Sequence, residues 1–188
     1  MENHDESMQV NFSHFEFLTM HTGQYSNFLA ACQTEDDIGA VLRLHLLLEK
    51  DLEVWCACSS ENGKIFAGFG ENLSLEFSAK NQLAYNFDLS EDLYKVIKRF
   101  NKIRNVRAHQ VDNFAITDAE IDSLTSLIGV NYPSNLLAIS DFGVQVNGGE
   151  HQLFTSKGTP NRLKLIMIYS MLKMRMCDEA LRKIGRRM

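Results

Sequence analysis

The sequence predicts a mainly α-helical bundle of about four to six helices, with a small β-hairpin inserted near residues 140–155. Two observations indicate the helices: the 188-residue chain has only 2 prolines, and long stretches repeat apolar residues at the spacing of an amphipathic helix. The hairpin is indicated by Asn147-Gly148-Gly149, a turn sequence between two short β-type runs, VQV and HQLF.

Length and composition predict one domain over residues 1–188, with its core in about residues 35–130 and the hairpin and last helix packed on it. Apolar residues make up 45% of the chain and charged residues 23%, which is enough to bury a core without disulfides. The polar, acidic start predicts no secretory leader, and the longest apolar run is too short to span a bilayer. We therefore expect a cytoplasmic protein that makes no membrane contact.

The four cysteines are expected to be reduced thiols rather than metal ligands. Cys56 and Cys58 form a C-x-C pair, but no second pair follows at the spacing of a zinc site. Nothing in the sequence resembles a glycine-rich phosphate loop, a G-x-S-x-G elbow or a paired-carboxylate metal site. The sequence therefore predicts neither a bound metal nor a cofactor.

The first half of the chain predicts two helices. Residues 13–32 are expected to form a helix interrupted near Gly23. Thr34, followed by three acidic residues, predicts the start of a second helix that runs to about residue 58. Its middle, VLRLHLLLE, is apolar on nearly every side, which is typical of a buried central helix.

The next helices are marked by glycines and capping boxes. A short helix over about residues 74–85 follows a glycine-containing loop. The pattern Asp88-Leu89-Ser90-Glu91 predicts a helix over about 89–109, and Thr117-Asp118-Ala119-Glu120 predicts another that ends near residue 128.

Thr159 is predicted to cap the last helix, with Pro160 at its first helical position, and the helix is predicted to end near Ile184, where Gly185 follows. Its methionine-rich sequence, LIMIYSMLKMRM, is more typical of core or dimer surface than of a cofactor site.

The basic residues are unevenly distributed. The net charge is −5, yet fifteen of the 19 lysines and arginines lie within residues 95–107 and 157–188. Such segregation permits local binding of a polyanion even by an acidic protein. The alternative is that these residues only complement the dipoles of helix C-termini.

On a helical wheel, residues 89–109 divide into an apolar stripe and a polar face. The polar side chains fall within an arc of roughly 80° opposite the stripe: Lys95, Lys98, Lys102, Asn105 and His109. A lysine row that leads to an imidazole suits an acid–base site acting on a polyphosphate. A solvated helix face is the alternative interpretation.

Arg104 and Arg107 project along the continuation of the apolar stripe, so each is expected to face the bundle or a partner chain. On the helix over 35–58, His45 and Glu49 lie one turn apart in an apolar stripe. We therefore predict an ion pair between Arg104 and Glu49, which either sets the register of the two helices or orients a catalytic arginine. A metal site at His45 and Glu49 has too few ligands.

The string Arg104-Asn105-Val106-Arg107-Ala108-His109, an instance of R-x4-H, resembles the motif of the HEPN domain superfamily. The resemblance extends over LYKVIKRFNKIRNVRAH and the preceding helix VLRLHLLLEKDLE, and it covers about residues 35–130. It implies an all-α bundle of four or five helices that usually forms a homodimer. Many members are metal-independent ribonucleases of toxin–antitoxin and antiviral systems, and others are non-catalytic assembly modules.

The resemblance implies that Arg104 and His109 act on RNA phosphate, with Asn105 beside the arginine and Glu49 as a supporting acid. Lys95, Lys98, Lys102 and Arg107 are the predicted RNA-binding residues. The chain contains no nucleotidyltransferase motif, so an antitoxin or regulatory protein would be a separate partner.

The chemistry agrees with this assignment. Histidine titrates near working pH and transfers protons, and arginine stabilises charge on phosphate oxygens. One chain offers a single Arg–His set, whereas a two-fold dimer offers two sets across one cleft. Arg104 and His109 are about 140° apart on a regular helix. Either the helix loosens near Val106, or the arginine of each chain serves the histidine of the other.

Three functions remain open from the sequence. The first is an RNA endonuclease of toxin or antiviral-defence type with a composite site at a homodimer interface. The second is a non-catalytic HEPN-like dimeric regulator or complex subunit. The third is a nucleotide- or nucleic-acid-binding protein that uses the lysine face without cleavage.

Overall fold

The computed structural model describes residues 24–66, 75–108, 115–145 and 148–186. The described residues form a helical bundle with one small antiparallel hairpin, which confirms the predicted fold class. The elements in chain order are α1 Gln24–Cys32, α2 Asp37–Ser59, α3 Phe77–Asn86, α4 Glu91–Ala108, α5 Asp118–Gly129, β1 Gly143–Val144, β2 Gln152–Leu153 and α6 Asn161–Arg186. The helix predicted over 13–32 corresponds to α1, and its part before residue 24 lies outside the described residues.

Helix α2 is the centre of the bundle, as its apolar sequence predicts. It packs against α1, α3, α4 and α6, and Leu44, Leu48 and Leu52 are fully buried along it. The predicted cap at Thr34 is wrong. Asp36 caps the helix and accepts from the Gly39 N–H at 2.5 Å, whereas the Thr34 hydroxyl donates to the carbonyl of Ala30 in α1 at 2.8 Å.

Helix α4 buries the predicted apolar stripe, which consists of Leu93, Val96, Ile97, Phe100 and Ile103. Its start differs from the predicted capping box, because the helix begins at Glu91 and Ser90 stands at the cap position. The Ser90 hydroxyl accepts from the Leu93 N–H at 3.4 Å. Ser90 itself donates to Glu179 of α6, through its N–H at 3.2 Å and its hydroxyl at 2.6 Å. The cap therefore depends on a residue that is distant in sequence.

Helix α5 begins at the predicted capping box. The Thr117 side chain accepts from the Glu120 N–H, and the Glu120 side chain accepts from the Thr117 N–H. At its other end, Arg175 of α6 donates to the carbonyls of Ile128 and Val130, at 2.8 and 3.3 Å. Helix α6 thus supports both α4 and α5.

The hairpin covers part of the core. Gly143 pairs with Leu153 and Val144 with Gln152, and the neighbouring Phe154 is 8% exposed. A Cβ at position 143 would lie 2.4 Å from the His151 ring, so a larger residue there would require the exposed His151 side chain to move.

The last helix runs from Asn161 through Arg186, so Gly185 does not end it where the sequence predicted. Thr159 also does not act as its cap. The Thr159 hydroxyl instead donates to the Leu153 carbonyl at 2.7 Å and ties the hairpin to the start of α6.

Helices α2 and α4 run antiparallel. The Trp55 indole near the end of α2 donates to the carbonyl of Phe87, just before α4, at 3.2 Å. His45 in the first half of α2 bonds Asn101 in the second half of α4 at 2.9 Å. The motif end of α4 therefore lies beside the first turns of α2. In the described part of the chain, no helix has the length and apolar character needed to cross a membrane.

Candidate nucleic-acid interface

The polar face of α4 is exposed where the helical wheel places it. Lys95, Lys98, Lys102 and Asn105 are all solvent-exposed, whereas His109 lies outside the described residues. Lys95 pairs with Glu91 at 2.7 Å near the start of the helix. No acidic residue occurs between residues 93 and 108, so the second half of this face carries positive charge only.

Arg104 lies at the edge of this face. One guanidinium nitrogen donates to the side-chain oxygen (Oδ1) of Asn105 at 2.9 Å on the surface. The Nε–H of Arg104 is buried and has no hydrogen-bond acceptor among the described residues. Within the same ranges, Arg104 forms no ion pair, which leaves its charge available to an anion at the surface.

The predicted ion pair between Arg104 and Glu49 is wrong. Glu49 instead accepts from Lys80 of α3 at 2.6 Å, and Lys80 also donates to Glu53 at 2.6 Å. Burial favours the neutral form of Lys80, but its bonds to the two carboxylates outweigh burial and raise its pKa. The helical patterns of α2 and α4 gave no sign of this partner, because Lys80 belongs to a third helix and reaches Glu49 only in the folded bundle.

His45 of α2 contacts α4 at Asn101, which lies one turn before Arg104. Its Nε2 lies 2.9 Å from the Asn101 side-chain oxygen, and its ring stacks on Phe77 at 4.1 Å between centroids. Burial lowers the pKa of His45 and the charge of Arg104 lowers it further, against the opposing effects of Asn101 and Glu49. The sequence placed His45 in an apolar stripe, but it gave no sign that Asn101 would meet it.

No group of three or more metal-ligating side chains is found among the described residues. Glu49 is held by Lys80, and His45 is held by Asn101. His45 and Glu49 therefore act in helix packing in this structure.

Arg107 points into the bundle, as its place on the wheel predicts. It is 5% exposed, and its guanidinium is paired with Glu120, the capping residue of α5. Its assignment to RNA binding stays a prediction. On the same helix, Lys98, Lys102 and the guanidinium of Arg104 reach the surface instead.

The cysteines carry no reactive thiolate. All four are free, and burial raises the pKa of Cys56 to about 12 and that of Cys58 to about 11. A thiol protonated at neutral pH is a poor nucleophile and a poor metal ligand.

Comparison with protein-family models, with curated proteins and with solved structures finds no match to this chain. The resemblance to the HEPN superfamily therefore rests on the R-x4-H string and the two helices around it.

Proposed function

We propose that this protein is a metal-independent RNA endonuclease of toxin or antiviral-defence type, which acts as a homodimer through a composite site of Arg104 and His109. The observation that carries the proposal is the position of Arg104. It lies at the end of an acid-free basic face, its guanidinium contacts Asn105 at the surface, and no carboxylate of the described residues neutralises it. An RNA phosphate provides the missing negative charge.

The chemistry requires no metal. The 2′-oxygen of the substrate attacks phosphorus, the bond to the 5′-oxygen breaks, and the products are a cyclic phosphate and a 5′-hydroxyl. In each site one His109 takes the proton from the 2′-hydroxyl as a general base, and water gives a proton to the leaving 5′-oxygen. Arg104 stabilises the charge that develops on the non-bridging oxygens, and Asn105 positions Arg104.

The regular geometry of α4 supports a dimeric site. The helix is continuous from Glu91 to Ala108, so it does not loosen near Val106. His109 lies outside the described residues, and ideal helical spacing alone predicts that it diverges from Arg104 by about 140°. We infer that the arginine of one chain serves the histidine of the other, across a two-fold interface.

The test is cleavage of end-labelled RNA by the purified protein in the presence of a chelator. We expect products with cyclic phosphate ends, and we expect Arg104→Ala and His109→Ala each to reduce the rate at least 100-fold, on the order of the loss of one charged or acid–base group. Arg182→Ala is the matched control, since Arg182 is an exposed arginine paired with Asp178. Glu179, three residues before Arg182 on α6, bonds Ser90 just before the start of α4. Arg182 therefore lies near the end of α4 that is opposite to Arg104.

A second candidate is a non-catalytic dimeric module that binds a separate regulatory protein. The ion pairs Glu49–Lys80 and Arg107–Glu120 favour it, because they use two of the predicted site residues to hold helices together. Absence of cleavage at any protein concentration, with both variants correctly folded, would favour this alternative. Toxicity on expression that His109→Ala relieves would support the nuclease instead.

A further inference from the structure

Two tyrosines meet beside the basic face of α4. Tyr85 of α3 and Tyr94 of α4 have ring centroids 5.1 Å apart with an interplanar angle of 45°. The Tyr94 hydroxyl donates to the Gln82 side-chain oxygen at 3.2 Å, and Lys98 Nζ lies 5.8 Å from the Tyr94 ring centroid. Tyr94 is thus held in place, while Tyr85 remains 41% exposed.

Tyr94 lies on the same side of α4 as the predicted RNA-binding lysines. Tyr94, Lys98, Lys102 and Asn105 are spaced by four, four and three residues, so they follow one side of α4. Ten residues separate Tyr94 from Arg104, which corresponds to about 15 Å along a helix. That distance accommodates two or three nucleotides of an extended single strand, with the lysines beside its phosphates.

We propose that Tyr85 and Tyr94 form a base-stacking subsite that selects single-stranded RNA, two or three nucleotides from the phosphate held by Arg104. Its role in substrate selection rests on the proposed nuclease function. An exposed aromatic ring next to cations is the arrangement by which proteins bind unpaired bases, because every base has a π-face and the adjacent phosphates need positive charge. Bases inside a duplex are already stacked and paired, so a duplex cannot use this subsite.

A purely structural role for the pair makes a different prediction. If Tyr85 and Tyr94 only pack α3 against α4, their replacement lowers stability without a specific effect on RNA. The variants are therefore compared at a temperature where all are folded, and Tyr→Phe at both positions keeps the rings while it removes the hydroxyls.

Binding is measured by fluorescence anisotropy with a labelled single-stranded ten-nucleotide RNA whose 2′-oxygens are methylated, so that it cannot be cleaved. We expect Tyr85→Ala and Tyr94→Ala each to weaken binding about 5- to 100-fold, the usual effect of removing one stacking ring. The Phe variants should bind like the unaltered protein. Tyr25→Ala is the matched control, because Tyr25 is 73% exposed but lies on α1.

Two further oligonucleotides separate the contribution of base stacking to affinity from that of the phosphates. An oligonucleotide of the same length with abasic positions should bind weakly and should not respond to Tyr85→Ala. A duplex of the same sequence should likewise be indifferent to Tyr85→Ala, although Lys102→Gln should weaken its binding.

Unchanged affinity in folded Tyr85→Ala and Tyr94→Ala variants, with a loss in Lys102→Gln, would overturn the subsite and leave the nuclease proposal intact. Tyrosine-dependent binding without any cleavage of unmodified RNA would support the stacking subsite and overturn the nuclease proposal. Equal losses for the normal and abasic strands would also overturn the subsite, since stacking requires a base.

Discussion

The neutral state of His45 follows from three neighbouring elements. Its own helix supplies Glu49, α4 supplies Asn101 and Arg104, and α3 supplies Phe77, which covers the ring. Because the imidazole is 5% exposed, a proton there would be poorly solvated and would stand beside the charge of Arg104. The Glu49 carboxylate does little to stabilise a protonated His45, since it is already paired with Lys80.

We therefore expect His45 to make the folded state sensitive to acid. Its pKa is lowered in the folded protein, so as pH falls below the unfolded value of about 6.5 the unfolded chain takes up the proton first. The contribution of a neutral His45 to stability is complete above that pH and declines toward the folded pKa. Urea unfolding of the unaltered protein and of His45→Asn, at pH 7.5 and pH 5.5, measures the effect.

His45→Asn should be less stable than the unaltered protein at pH 7.5, because it leaves the space beside Phe77 unfilled. The difference between the two proteins should shrink at pH 5.5. An equal difference at both values would show that His45 does not titrate in this range.

Among the helices, α1 is joined to the bundle by a buried polar cluster. Asp51 of α2 is 2% exposed and accepts from the Tyr169 hydroxyl at 2.9 Å. Lys173 of α6 pairs with Asp51 and also donates to Gln24 of α1 at 2.9 Å. Burial raises the pKa of Asp51, against the opposing effect of Lys173. The cluster therefore ties three helices together through groups that cannot be left without partners.

Lys173→Met should lower the free energy of unfolding by about 3 kcal/mol, because it leaves the Asp51 carboxylate buried without its cation. Denaturant unfolding provides the measurement. The double variant Asp51→Asn with Lys173→Met should lose less than the two single variants added together, since it removes both charges. Simple additivity of the two single effects would contradict the proposed pairing.

For the whole molecule, the proposed homodimer raises the question of how its two chains share the motif. If the arginine of one chain serves the histidine of the other, a mixed dimer of Arg104→Ala and His109→Ala chains contains one site with both residues intact. If both residues of a site come from one chain, every site of the mixed dimer lacks one of them.

The inactive Arg104→Ala and His109→Ala proteins are mixed in equal amounts, unfolded together and refolded. Random pairing then makes half of the dimers mixed, and each mixed dimer has one intact site of its two. We therefore expect the mixture to regain about one quarter of the activity of the unaltered protein. RNA cleavage in chelator is the readout, and each variant refolded alone is the control. No recovery, although mass measurements show mixed dimers, would place both residues of a site on the same chain.

The local features of the fold were predictable from neighbouring residues. The capping box at Thr117 and Glu120, the buried stripe of α4 and the exposed lysines all depend on spacing within one helix. The wheel therefore placed Lys98, Lys102 and Asn105 outward and Arg107 inward correctly. The resemblance to the HEPN superfamily, rather than helical spacing, made Arg104 and His109 the candidates for catalysis, and His109 lies outside the described residues.

What the sequence alone established is the mainly helical class and the basic face of α4, because helical periodicity and capping are local properties of the chain. Which polar side chains meet was decided only by tertiary structure. Glu49 bonds Lys80 rather than Arg104, His45 bonds Asn101, and Ser90 bonds Glu179. Each of these pairs joins two helices, and a partner on another helix is selected by how the helices pack, which no spacing within one helix encodes.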